Sequence, residues 1–178
     1  MLAEQNHASI EANRRRIFEV LKALKSDDYK FKIGVHLVGE CKEKETTSHC
    51  VEGQKGVFEI ENLSTESVFV QVLDLATSGR ISSVIRSVSV GPGQKIRSPF
   101  LIFGAPYGSE LFKVFASREP VDMSFLEYSA EAINASSPLR FNMQPNTTNP
   151  LETSGSALPN AWPVLDYIVV IERATIIR

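Results

Sequence analysis

The hydrophobic positions change their period along the chain. Ile10, Ile17, Leu21 and Leu24 recur at spacings of seven, four and three, with Phe18 beside them, which predicts an amphipathic helix in residues 1–28. Ser9 is suited to cap its start. Lys22 and Lys25 stand in the last turn, where the helix dipole favours cations, and Ser26-Asp27-Asp28 ends the pattern. The apolar stripe is expected to pack on a sheet or on a neighbouring domain. From Phe31 the period drops to two. Phe31, Ile33, Val35 and Leu37 alternate with Lys32, Gly34, His36 and Val38, the pattern of a half-buried strand. Phe58 and Ile60 oppose Glu59 and Glu61 in the same way after a polar stretch over 40–54.

Residues 68–75 are apolar on both faces, with Val68, Val70 and Val72 on one and Phe69, Leu73 and Leu75 on the other, as in a central strand covered from both sides. Thr77-Ser78-Gly79-Arg80 and Gly91-Pro92-Gly93 mark turns. A short strand is expected around Ile81, Val84 and Ile85, with further strands over 95–103 and 111–116 and a short helix over 123–133. Residues 136–163, rich in Ser, Asn, Thr and Pro, read as a long loop. Alternation returns at the end, with Leu165, Tyr167, Val169 and Ile171 set against Asp166, Ile168, Val170 and Glu172. Short strands separated by Gly/Pro turns predict a mainly β fold: an antiparallel β-sandwich, Ig-like or jelly-roll-like, over 29–178, preceded by the helix of 1–28.

A length of 178 residues suits one such domain, and a hydrophobic fraction of 43% is that of a globular chain. The formal net charge of −2 argues against the broad basic surface of a nucleic-acid binder. No apolar run reaches the roughly 20 residues of a membrane span, and the start lacks the order of a signal peptide, so a cytoplasmic location is expected. On that expectation Cys41 and Cys50 are a reduced pair, although a disulfide across a hairpin is sterically open to them. The sequons at Asn62, Asn134 and Asn146 are then chance matches.

Candidate chemistry is sparse. Cys41, His49 and Cys50 crowd into one polar hairpin, and the adjacent His49 and Cys50 are poorly placed to face each other across a substrate. As zinc ligands, with Glu43, Glu45 or His36 as a fourth, they lack Cys-x-x-Cys spacing. His7 belongs to the N-terminal tail and His36 to the polar side of its strand. Gly91-Pro92-Gly93 lacks the Lys-Ser/Thr of a phosphate loop. The reading is therefore a non-enzyme without metal or cofactor. Tyr107 and Trp162, beside prolines at loop ends, and the run Arg14, Arg15 and Arg16 form the candidate interaction surface, set against the simpler readings of edge packing and a solvated helix face.

Three stretches carry a resemblance to a known family. They are Gly56 to Asn62 followed by Ser67 to Leu75, then Ser78 to Ile81, then Ala105 to Met123 with its Pro-aromatic-Gly turn and Glu-Pro-hydrophobic-Asp ending. Over 56–123 the chain resembles a bacterial domain of unknown function found C-terminal to caspase-like, metacaspase-type peptidase domains, and Trp162 before the last strand suits that family's end. The resemblance implies a non-catalytic regulatory or protein-interaction module, with a caspase-like peptidase domain as partner in cis or in trans. It supplies no binding residues. The alternative is a free-standing carbohydrate- or peptide-binding sandwich that uses 136–163 as its rim.

Overall fold

Alternating strands must bury their apolar faces, and in the computed structural model they do so between two sheets. The structure describes residues 2–25, 31–127 and 164–174. The four-stranded sheet holds β1 (Ile33–Gly39), β4 (Lys55–Asn62), β7 (Lys95–Arg97) and β8 (Leu101–Ile102), with β7 and β8 pairing successive stretches of β4. The second sheet runs in the order β2 (Lys42–Lys44), β3 (Thr47–Val51), β10 (Val164–Glu172), β9 (Gly108–Ser117), β5 (Val68–Leu75), β6 (Ile81–Val90). Its pairings are antiparallel except β10 with β3, which is parallel.

Phe58 and Ile60 of β4 meet Val68, Val70 and Val72 of β5, Phe112 and Val114 of β9, and Tyr167 and Val169 of β10 in the core between the sheets. The Phe58 ring lies 4.7 Å from that of Phe112 and 5.2 Å from that of Tyr167. A second core lies on the outer face of the six-stranded sheet. There Leu73, Leu75, Phe115 and Val164 pack with Leu21 of α1 (Leu2–Ala23), flanked by Ile17, Phe18 and Leu24. The two-sided apolarity of β5 is thus explained: one face meets the other sheet and its opposite face meets the helix. The helix stripe packs on its own sheet, with Leu21 buried, while Ile10 and Val20 are exposed.

Lys113 fastens the helix end. It lies directly opposite Asp166 across the β9–β10 ladder and is fully buried. Its Nζ donates to the Leu24 carbonyl at 2.7 Å and pairs with the Asp166 carboxylate. A cation there satisfies a carbonyl that the helix leaves open.

Several boundaries differ from the sequence reading. The helix already runs through Ser9, which is therefore not its cap, and His7 lies within it. The strand expected around Ile81 runs on to Val90, and that expected over 95–103 is broken at Ser98, which bonds Phe58 in place of a regular ladder. The helix expected from Met123 is a single 3-10 turn, Ser124–Leu126, within the described residues. Residues 128–133 of that segment, the loop of 136–163, Asn134, Asn146 and Trp162 lie outside them. Asn62 is buried and its side-chain amide donates to the Glu66 and Val90 carbonyls, so this sequon is a structural turn.

The reduced cysteine pair is a correction, because Cys41 and Cys50 are joined in a disulfide. Glu45, at φ 54°, permits the tight turn at 45–46, and Lys42 then pairs His49. One step further out, Cys41 and Cys50 oppose each other with Cα atoms 4.6 Å apart, the spacing of a non-hydrogen-bonded cross-strand pair.

Candidate functional site

The inward faces of β5 and β9 are apolar until they reach one end of the sandwich, where each finishes in a carboxylate. On β5, Asp74 follows Val68, Val70 and Val72; on β9, Glu110 precedes Phe112 and Val114. The antiparallel register sets Asp74 opposite Phe112, so Asp74 and Glu110 are diagonal neighbours on one face. Asp74 is 5% exposed and Glu110 is 9% exposed.

The β5–β6 turn brings a cation back over this end. Gly79, at φ +82°, supplies the left-handed residue, and the Ala76 amide bonds the Arg80 carbonyl. Arg80 Nη2 then donates to Asp74 Oδ2 at 3.2 Å, and Ser82 Oγ reaches the same oxygen at 3.3 Å. Asp74 Oδ1 is buried with no hydrogen-bond partner among the described residues. Burial pushes the Asp74 pKa above the usual carboxylate range, against the pull of Arg80 and Ser82. Glu110 is pushed up to about 7 by burial first and by the Asp74 charge second, opposed by Arg80.

The opposite wall of the cleft is apolar. The segment between β8 and β9, with a cis Ala105–Pro106 peptide, sets Phe103 and Pro106 against Ile171 of β10 and Phe112. The cleft so enclosed measures about 460 Å³. At β8, just before that segment, Ile102, a wall residue, is 69% exposed, and Phe100 beside β8 is 80% exposed. Tyr107, beside the wall residue Pro106, is partly exposed, and its hydroxyl pKa is raised chiefly by a hydrogen bond with Glu52.

Of the sequence candidates, Tyr107 therefore lies next to this cleft. Arg14, Arg15 and Arg16 lie on α1, which covers the outer face of the six-stranded sheet; Arg14 pairs with Glu11, and Arg15 and Arg16 are exposed. At the hairpin, His49 faces Glu172 at 3.7 Å, while Cys50 is buried in the disulfide, so neither thiol is available as nucleophile or ligand. His36 stands 3.5 Å from Glu43, and Glu43 also accepts from the buried Tyr167 hydroxyl. Among the described residues no group of three or more His, Cys, Asp or Glu side chains converges as a metal site. Asp74, Arg80 and Glu110 were not candidates from sequence. Asp74 carries a signal, a charge at the inward parity of an otherwise apolar strand, whereas Arg80 lies in a turn and Glu110 just before the strand expected over 111–116.

No family model matches the chain, and no curated protein matches it. Among solved structures it is similar to the PapD-like domain 7 of human CEP192, at TM-score 0.39 and 9% identity over 80% of this chain and 85% of that one. It is also similar to the alkylpurine DNA glycosylase AlkC of Pseudomonas fluorescens, at TM-score 0.30 and 12% identity over 60% of this chain and 32% of that one. A third likeness is to a β-glucosidase of Listeria innocua, at TM-score 0.23 and 14% identity over 52% of this chain and 15% of that one. Likeness this slight carries no function across. The fold itself is mainly β, two packed sheets with one N-terminal helix.

Proposed function

We propose that the chain is a non-catalytic protein-interaction or regulatory module that receives its partner at the Asp74–Glu110 end of the sandwich. The observation that carries this reading is the joining of an acidic cleft to an apolar rim, Phe100 and Ile102, on one exposed segment. Exposed apolar side chains beside a polar recess are the composition of a recognition surface. The resemblance over 56–123 names the partner class, a caspase-like peptidase domain joined in cis or met in trans.

The test is direct capture. The full chain, immobilised, is offered a purified caspase-like peptidase domain from the same organism. Retention is expected, and Phe100→Asp with Ile102→Asp is expected to abolish it. Absence of retention, or retention indifferent to both substitutions, would count against the reading. The cytoplasmic location expected from the sequence is kept as part of this proposal, and the Cys41–Cys50 bond stands against it, because disulfides are rare in a reducing compartment. Thiol trapping in intact cells reads its state, and a fully oxidised pair would place the chain in an oxidising compartment instead.

A further inference from the structure

Between β1 of the four-stranded sheet and β2 of the six-stranded sheet the chain has only Glu40 and Cys41. Cys41 is joined to Cys50 of β3, so the disulfide fastens this crossing to the second sheet. Little else fastens β2. It is an edge strand of three residues, Lys42, Glu43 and Lys44, all exposed, and it faces β3 through three residue pairs. None of the three belongs to either core. Glu43 supplies the inward hold: its Oε1 accepts from the Leu37 amide of β1 at 3.0 Å and from the Tyr167 hydroxyl at 2.6 Å. Two strands held by so few groups are marginally stable in water. The two cysteines are unequally placed, Cys50 being 1% exposed and Cys41 only partly buried.

We propose that the Cys41–Cys50 bond is a redox latch on β2: oxidised, it holds β2 on β3, and reduced, it lets β2 leave and bares the edge of β3. The reductant is a thiol or dithiol. Its thiolate attacks the Cys41 sulfur, the more exposed of the pair, forms a mixed disulfide there and expels the Cys50 thiolate, which takes up a proton. A second thiolate of the reductant attacks the reductant sulfur of the mixed disulfide and releases Cys41, which is protonated in turn. The electrons and protons gained by the cysteines are those lost by the reductant, which leaves as its own disulfide. Oxidation is the reverse exchange with a disulfide of that class.

The bond closes a loop of sequence separation 9, and losing that closure makes opening of the enclosed hairpin more frequent by about tenfold or more. Opening withdraws Glu43 from Leu37 and Tyr167 and leaves Thr47–Val51 of β3 as a sheet edge, with backbone groups free to pair with a further strand. The latch requires no partner and is independent of the docking reading.

The test is amide hydrogen exchange on the full chain at neutral pH, oxidised and in dithiothreitol, with the thiol state read by alkylation. The reporters are Leu37, whose amide bonds Glu43, and Lys42 and Lys44, which fall in the hydrogen-bonded pairs of the β2–β3 ladder. The references are the buried Val70 and Val114. On reduction the reporters should exchange about tenfold faster or more, with protection at least about tenfold below that of the references, and oxidised dithiothreitol should restore them. Cys41→Ser should exchange like the reduced chain in either condition. A bond that resists dithiothreitol in the folded chain, or reporters unmoved by complete reduction, would overturn the proposal. So would reporters whose protection merges with that of Val70 and Val114, because the bond would then stabilise the domain only as a whole.

Discussion

Replacing Glu110 with Gln removes a carboxylate that the fold holds under burial, and its effect on stability has a definite sign and pH window. The Glu110 pKa is raised from 4.5 to about 7 in the folded protein. Between those values the native state binds more protons than the unfolded chain, so stability falls as pH rises, and the loss is complete above about pH 7. At 1.36 kcal/mol per pH unit this is roughly 3 kcal/mol before screening. The carboxyl faces an open cleft, where water screens the charge, and an expected cost of about 1–2 kcal/mol remains. Gln keeps the shape and cannot ionise. In urea unfolding at pH 8, Glu110→Gln should therefore be more stable than the parent by about 1–2 kcal/mol, or roughly 2–8 °C in Tm. At pH 4.5 or below the difference should shrink towards zero. Equal stability at pH 8, or the same difference at both pH values, would refute the burial argument.

Lys113→Met should cost about 2–4 kcal/mol in urea unfolding, because the Leu24 carbonyl and Asp166 lose their cation, and adding Asp166→Leu should recover much of it. Fast amide exchange across α1 in the Lys113 variant, with the sheets still protected, would locate that loss at the helix end. Tyr167→Phe should cost about 1–3 kcal/mol, since Ser48 and Glu43 lose a buried partner at 2.8 and 2.6 Å. Reducing the Cys41–Cys50 bond, whose sequence separation is 9, should lower stability by roughly 2–3 kcal/mol in the chain-entropy account, checked by urea unfolding with and without dithiothreitol.

The sandwich was legible because side-chain parity is a local property. Leu37, Phe58, Ile60, Tyr167, Val169 and Ile171 all fall on the buried side that their alternation assigns. The two apolar faces of β5 likewise announced two layers, and the helix stripe around Leu21 announced what could supply one of them. What depended on register was not legible. The Cys41–Cys50 bond follows from a turn at 45–46 that sets residue 42 against 49, and no local pattern states that pairing. The parallel pairing of β10 with β3 joins segments far apart in the chain and has the same character. The site belongs to the second case. Neither Asp74 nor Glu110 was singled out from the sequence, and Glu110 lay just outside the strand expected over 111–116; the β5–β9 register brings the two to the same end, and the Gly79 turn returns Arg80 to Asp74. Tyr107 was singled out for its proline neighbour, and the cleft lies beside that proline.

The most direct measurement of the interaction-module account is isothermal titration of the full chain with a purified caspase-like peptidase domain, run in parallel on the Phe100→Asp/Ile102→Asp variant. Saturable binding by the parent and at least about tenfold weaker binding by the variant, as for removal of central apolar contacts, is the expected result. No binding heat across buffers and temperatures, or identical affinities for parent and variant, would contradict the assignment of the Asp74–Glu110 end as the docking surface.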